Sequence, residues 1–400
     1  MKVLMINVTC GVGSTGRICT DLARALMNQG HTVKIAYGRG SAPEDLAENA
    51  YRVENQAELL WHVAAARLWD RSGLESSRAT KALVAWIRQY DPDVIHLHNL
   101  HGYYLNVEIL FDYLKTCGKR ILWTLHDAWA FTGHCACFFE CDRFQNGCVG
   151  CKQKNEYPKT FHLNAEENWK RKKKAFTGIP GLTLVTPSKW LAGYLPKTIL
   201  REYPVKVVPN GINTNYFVYT EGDFRKRNDL TNRFVILGVS NVWNARKGLA
   251  DFYKLAQILD QRFQIVLVGL TKKQLRNLPD GILGIQRTSR VQELAELYST
   301  ADVFLNLTYS DNYPTVNLES LCCGTPVITN RTGGSPESIR GENAGFVVEQ
   351  GNLEQVCLRL EELIAVPREQ RRVNYDRKFA DSGRALKEYC KLYLEPKQKG

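Results

Sequence analysis

No run of about 18 or more apolar residues occurs in this chain of 400 residues, so no segment is expected to cross a bilayer as a helix. An export signal is missing as well. The opening MKVLMINV has one lysine and a short apolar stretch, but it leads into glycines without a cleavage pattern and reads as a first β-strand. Acidic residues are the scarcer charge, 41 against 53 Lys and Arg, leaving a formal net charge of +12. Such an excess fits an anionic partner: a nucleic acid, a phosphorylated substrate or a membrane surface. Low-complexity segments and short repeats are absent. Cysteine, in contrast, is plentiful, with twelve residues. A cytoplasmic location is expected, and there thiols stay reduced, so disulfides are not expected.

The length exceeds one ordinary core, and two domains are expected. Apolar segments of strand length alternate with helical ones. Strands are read at 3–8, 31–37, 94–98, 121–125, 183–186 and 205–208, with a helix at 18–27. The pattern then restarts, with strands at 234–239, 263–268, 303–307 and 327–329 and helices at 247–259, 291–299 and 315–323. Alternating β and α units build parallel sheets, so the fold class is α/β with two Rossmann-like, doubly wound domains. The polar stretch 220–233 fits a linker, and the boundary is expected a little before it. The domains are then 1–203, with a Cys-rich loop at 134–158, and 204–400. The last helix, about 373–394, is expected to pack back on the first domain.

Parallel sheets bind ligands at the carboxyl ends of their strands. Gly11, Gly13 and Gly16 follow the first strand with G-x-G-x-x-G spacing, which brings backbone N–H groups and a helix N-terminus to an anion. Arg17-Ile18 stands where a P-loop would carry its lysine, and Gly38-Arg39-Gly40 stands where a dinucleotide ribose needs an acid. Neither class is therefore favoured. His96, His98 and His101 fall in VIHLHNLHG, and His126-Asp127 ends ILWTLHD. His96 and His98 share a strand face, where a metal pair is conceivable. A buried structural role is the simpler reading of His96, and a functional role that of His126.

Five cysteines crowd residues 135–151. Cys148-x-x-Cys151 forms one knuckle, and Cys135 or Cys137 with Cys141 supplies a second pair. The set Cys135, Cys141, Cys148 and Cys151 suits a structural Zn²⁺, with free loop thiols as the alternative. The run Lys170-Arg171-Lys172-Lys173-Lys174, in an expected helix, is either a solvated face or an anchor on an anionic membrane. Arg246-Lys247-Gly248 lies between a strand and a helix start, where two cations make a diphosphate clamp. Asp311 and Glu319 follow the strand at 303–307, the first in a loop and the second in a helix. A carboxylate there takes two hydrogen bonds from vicinal hydroxyls of a ribose or hexose.

Together these residues resemble retaining glycosyltransferases of the GT-B fold, family 4, over nearly the whole chain. The resemblance rests on the N-terminal glycine loop, HLHNLHG, TLHD, Pro209-Asn210-Gly211-Ile212-Asn213, Arg246-Lys247-Gly248, and Asp311-x7-Glu319 continuing as LESLCCGTPVIT and GGSPE. The cysteine loop followed by Tyr157-Pro158 resembles a subgroup associated with bacterial exopolysaccharide and colanic-acid-type assembly.

What the resemblance implies is two domains facing a cleft and transfer of a hexose from a nucleotide-sugar, a UDP-sugar first, to a lipid-linked glycan acceptor. Glu319 would hold the ribose, Asp311 the transferred sugar, Lys247 the diphosphate, and His126 would stand near the anomeric centre. Gly11, Gly13, Gly16, Asn241, Arg246, Asn312, Tyr313 and Thr315 complete the donor side, and His98, Asn99 and His101 the acceptor side.

The chain departs from the family pattern in two places. Asp311-Asn312-Tyr313-Pro314 replaces the usual Glu and Gly-aromatic-Gly. Val242 replaces an arginine, a place that Arg246 would have to fill. The family works by front-face attack, without a nucleophilic carboxylate pair about 5 Å apart. With cationic side chains neutralising the leaving diphosphate, no catalytic metal or cofactor is expected. A nucleotide-sugar epimerase of the same fold is the alternative, and a basic zinc-containing nucleic-acid-binding protein a remoter one; no nucleic-acid partner is expected.

Overall fold

Strands that are apolar on both faces belong inside a parallel sheet covered by helices. The computed structural model describes all residues except Glu54, Glu342 and 396–400, and it follows that rule. In the first unit the strands are β1 (Lys2–Thr9), β2 (Thr32–Arg39), β3 (Ala50–Arg52), β4 (Val94–Leu97), β5 (Arg120–Thr124), β6 (Leu182–Thr186) and β7 (Val205–Val207). Every residue of β4, β5 and β6 is buried. All pairings are parallel, in the order β3-β2-β1-β4-β5-β6-β7. The winding reverses between β1 and β4, which makes a crevice at their carboxyl ends.

The second unit repeats the scheme with β8 (Phe234–Val239), β9 (Phe263–Val268), β10 (Ile282–Ile285), β11 (Val303–Asn306), β12 (Val327–Asn330) and β13 (Gly345–Val348). Its order is β10-β9-β8-β11-β12-β13, again parallel, with the reversal between β8 and β11. The edge strands β3, β10 and β13 were not expected from sequence. They are short and mostly half-buried, and so lack a full apolar run.

The compact units comprise Met1–Pro209 with Ala385–Gly400, and Asn210–Arg384. The division falls a little beyond the expected 203/204. The C-terminal helix, Ser382–Leu394, is shorter than the expected 373–394. Ahead of it the chain makes a short 3-10 turn, Arg377–Phe379, and Ile212 bridges Asp381. The Asp381 carboxylate accepts the Gly383 N–H at 2.8 Å and so starts the helix. Tyr389, Leu392 and Tyr393 are buried with Val3, Met5, Val94, Leu122 and Val185 in the first unit. No helix among the described residues is long and apolar enough to cross a membrane.

Candidate active site

In the second unit, the loops after β8 and β11 meet at the reversal of the winding. Lys247 Nζ donates to Asp311 Oδ2 at 2.6 Å, with each side chain about one-fifth exposed. The Arg246 carbonyl accepts the Tyr309 N–H at 2.7 Å and the Thr308 hydroxyl at 3.2 Å. The Arg246 guanidinium donates to the Ser310 carbonyl at 2.7 Å. Two glycines make this closeness possible. Gly248, at φ +72°, has the Leu307 carbonyl oxygen 2.3 Å from where a Cβ would stand. Gly333, at φ +54°, has the Asp311 carbonyl oxygen only 1.7 Å from that point, and the Gly334 N–H donates to the same oxygen at 3.2 Å. Asp311 is therefore gripped by its backbone from one side and by lysine through its carboxylate. Both cations of this loop are engaged, Arg246 by the Ser310 carbonyl and Lys247 by the Asp311 carboxylate.

Glu319 lies in the helix Thr315–Cys322 and is 8% exposed. Its Oε2 accepts the Tyr298 hydroxyl at 2.9 Å. The same helix is tied to β11 by Asn306, whose amide donates to Asn317 Oδ1 at 2.9 Å, while Asn317 donates to Ser338 Oγ at 2.8 Å. Sequence reasoning missed Tyr298, Asn306, Asn317 and Ser338, because their role appears only when strand and helices meet. Thr315 opens the helix and is half-buried, as is Asn312, while Asn241 is exposed just beyond β8. Tyr313 corrects the expectation of a donor contact. Its ring is 5% exposed and belongs to the apolar core beneath the loop, which pushes its hydroxyl pKa up through burial.

At the equivalent edge of the first unit, two histidines are kept neutral by burial. The Gly11 N–H donates to the Gly16 carbonyl at 3.2 Å and closes the glycine loop over the start of the helix Gly13–Asn28. His98 Nδ1 and His126 Nε2 are 3.0 Å apart. Burial drives both pKa values down, that of His126 to about 4 against the pull of Asp127. His96 is satisfied within the core, by Tyr393 at Nδ1 and Thr124 at Nε2, both at 2.7 Å, and burial lowers its pKa to about 3. These contacts agree with a structural His96.

His101 Nε2 pairs with Asp127 Oδ2 at 2.6 Å. Burial raises the Asp127 pKa, but His101 and the Trp129 N–H together hold the carboxyl below its usual value. The Asn99 N–H donates to the fully buried Asn7 at 3.2 Å. Asn7 completes this edge without having been singled out, whereas Asp127 was noted beside His126 at the strand end.

Three sequence motifs lie elsewhere. All twelve cysteines are free thiols, and among the described residues no group of three or more His, Cys, Asp or Glu side chains is gathered to hold a metal ion. Cys135 and Cys148 are buried in the apolar core with Phe131, Phe138 and Phe144, whereas Cys141 and Cys151 only pack against its rim. Burial raises the pKa of Cys135, and that of Cys148 to about 11, and Cys135, Cys141, Cys148 and Cys151 lie within electrostatic reach of one another.

The basic run is not one cationic face. Lys172 is 2% exposed, donates to the Trp129 and Thr132 carbonyls at 2.7 and 3.0 Å, and has its pKa pushed down to about 7 by burial. Lys170 pairs with Glu166, and Arg171 with Glu108. The helical period turns Lys172 inward. The sequence's single Asp-x-Asp, Asp91-Pro92-Asp93, lies at the amino end of β4, where Asp91 pairs with Lys119 and Asp93 accepts the Lys2 N–H.

A sequence model described as Glycosyltransferase Family 4 matches residues 15–216, and one described as Glycosyl transferases group 1 matches residues 233–365. The putative colanic acid biosynthesis glycosyl transferase WcaC of Escherichia coli (strain K12) is 22% identical over 382 residues, 90% of each chain. The Campylobacter jejuni N,N'-diacetylbacillosaminyl-diphospho-undecaprenol alpha-1,3-N-acetylgalactosaminyltransferase is 25% identical over 217 residues, covering 48% of this chain and 55% of the relative. Among solved structures, Anabaena HepE in complex with UDP-glucose matches with a TM-score of 0.66 at 14% identity, over 98% of each chain. That likeness shows the fold, two parallel-sheet α/β domains of the GT-B type. With one family model covering half of the chain and a second covering most of the other unit, this protein belongs to glycosyltransferase family 4.

Proposed function

We propose that this protein is a retaining, metal-independent hexosyltransferase that moves a sugar from a UDP-sugar to a lipid-linked glycan in surface polysaccharide assembly. The observation that carries the reading is the Lys247–Asp311 pair at the second unit's winding reversal. A diphosphate arriving there competes with Asp311 for the lysine. Release from Lys247 leaves the Asp311 carboxylate available to sugar hydroxyls. Glu319, oriented by Tyr298, takes the ribose hydroxyls. As the glycosidic bond breaks, Lys247 stabilises the charge on the departing diphosphate. Neutral His126, at the edge of the first unit, offers a hydrogen bond to an uncharged hydroxyl without adding a positive charge there.

Three relatives support the finer choices. HepE was solved with UDP-glucose, WcaC is described for colanic acid biosynthesis, and the Campylobacter enzyme's name gives a diphospho-undecaprenol acceptor. The epimerase alternative gains nothing from relatives described as transferases. The test is donor hydrolysis or transfer by Glu319→Ala and Lys247→Ala; unchanged rates in both would sink the site. The anomeric configuration of the product, read by NMR, decides retention. Protection against thermal unfolding by UDP-, GDP- and ADP-sugars ranks the donor base.

A further inference from the structure

The first unit carries a second cluster beside its histidines. Arg39 ends β2, and its guanidinium stands 5.8 Å from the centre of the Tyr103 ring. Arg67 projects from the helix Gln56–Trp69 and is exposed. Burial raises the pKa of the Tyr103 hydroxyl, and both arginines act on it in the opposite sense, so both are within electrostatic reach. Tyr103 also hydrogen-bonds Tyr157, with the two rings edge-on and 6.4 Å apart. The Tyr157 hydroxyl is 3.4 Å from His101 Nδ1, and His101 holds Asp127. Two cations, two phenols and a histidine–carboxylate pair thus stand in one connected group at the carboxyl edge of the sheet.

Three features mark the group as more than surface decoration. Some arginines of this unit are neutralised, among them Arg24 by Asp45, Arg71 by Glu75 and Arg171 by Glu108. Among the described residues neither Arg39 nor Arg67 has such an acidic partner. Tyr103 is 6% exposed yet held at φ +70°, a conformation that bulky residues adopt rarely and that concentrates at binding sites. The helix that carries Arg67 also exposes Leu60, Trp61 and Leu68, at 63%, 56% and 40%. At about 100° per residue, Leu60 lies about 20° from Arg67 around that helix. Phe161, 71% exposed, donates its N–H to the Arg67 carbonyl at 2.7 Å. A cation therefore stands on a helix that also exposes several large apolar side chains, a combination that marks a partner.

We propose that Arg39 and Arg67, with Tyr103 and Tyr157, form an oxyanion subsite for the diphosphate of an amphipathic acceptor, whose apolar chain lies along Leu60, Trp61 and Leu68. Guanidinium forks match phosphate oxygens two at a time, and the phenols add donors at fixed positions. The His101–Asp127 pair then faces the first sugar beyond the diphosphate. The term acceptor rests on the glycosyl-transfer reading; the anion site itself does not. A uronate on the glycan would present the same charge, and the apolar border selects the prenyl diphosphate.

The test uses the full chain carrying Arg246→Gln and Lys247→Gln, which removes the two cations in the loop after β8 of the second unit. Ring-labelled ¹³C-tyrosine resonances, assigned with Tyr103→Phe and Tyr157→Phe, are followed during titration with geranyl diphosphate, inorganic pyrophosphate and methyl glucuronide. Geranyl diphosphate should shift both resonances and bind at least about tenfold more tightly than pyrophosphate, because its chain leaves water. Arg67→Gln, an exposed position that leaves the fold intact, should weaken binding at least about tenfold. Arg39→Gln should do the same, and Arg24→Gln should not. No shift with either diphosphate, or equal binding by the Arg67→Gln protein, would overturn the site. Shifts with the glucuronide alone would overturn the diphosphate assignment. No sugar donor is present, so this result and the transferase reading stand or fall separately.

Discussion

The two ligand edges share one winding and carry opposite chemistry. At the second, a lysine–aspartate pair and a buried glutamate stand in a loop gripped by glycines. At the first, His98 and His126 are kept neutral by burial. All eight histidines of the chain lie in the first unit and none between residues 210 and 384. The contrast teaches a division of labour between two pairs: the lysine–aspartate pair handles charge, and the buried His98–His126 pair offers uncharged hydrogen bonds. The largest effect should come from the charged edge. Lys247→Ala and Glu319→Ala should each lower transferase turnover by about 10² or more, the scale of removing a preorganised charge-stabilising group. Steady-state assays with saturating donor measure it, and a loss under about threefold would undo the contrast.

Next in size is the scaffold of that edge. Gly333→Ala places a Cβ against the Asp311 carbonyl at a positive φ, so the loop must move. A loss of about 2–3 kcal/mol is expected. For a domain of this size that lowers Tm by several degrees, at about 2–4 °C per kcal/mol. Donor protection against unfolding should fall with it. Normal protection at a lowered Tm would show that the grip on Asp311 serves stability alone.

The histidine edge makes a prediction of its own sign. The folded pKa values of His96 and His126, about 3 and about 4, lie below the usual His value of about 6.5. Below that value the unfolded chain takes up protons that the folded chain refuses. The contribution is therefore whole above pH 6.5 and is lost as pH falls toward 4, by about 1.4 kcal/mol per pH unit for each such histidine. Urea midpoints between pH 7 and 4.5 measure the slope, and His126→Gln should remove one histidine's share of it. A slope unchanged by that substitution would mean that His126 titrates normally.

Much of this was legible in the sequence, within physical limits. Apolar runs such as 234–239 and 263–268 exposed both sheets, because interior parallel strands must be apolar on two faces. The short, half-buried β10 and β13 carry no such run. The residues of the charged edge were found by type and position, yet their pairing was not, since Lys247 and Asp311 stand 64 residues apart and meet only through the order β8-β11. The His98–His126 contact likewise needs the β4–β5 pairing. Composition misled where burial overrode it: Lys172, in the most basic run of the chain, lies in the core beneath Trp129.

The smallest effect should be the most specific. Asp311→Glu restores the acid usual in the family and advances the carboxylate by one methylene. Because the Asp311 backbone is held by Gly334, and Gly333 permits no retreat, the side chain has to absorb the added length. The carboxylate then moves relative to the sugar while remaining within reach of Lys247. One methylene in a recognition pocket is worth about 1–3 kcal/mol, so the ratio of kcat/KM between two UDP-hexoses should change about tenfold, with little change in stability. A parallel loss for every donor would mean instead that Asp311 serves only to hold Lys247 in place. The charged edge would then neutralise the diphosphate without choosing the sugar.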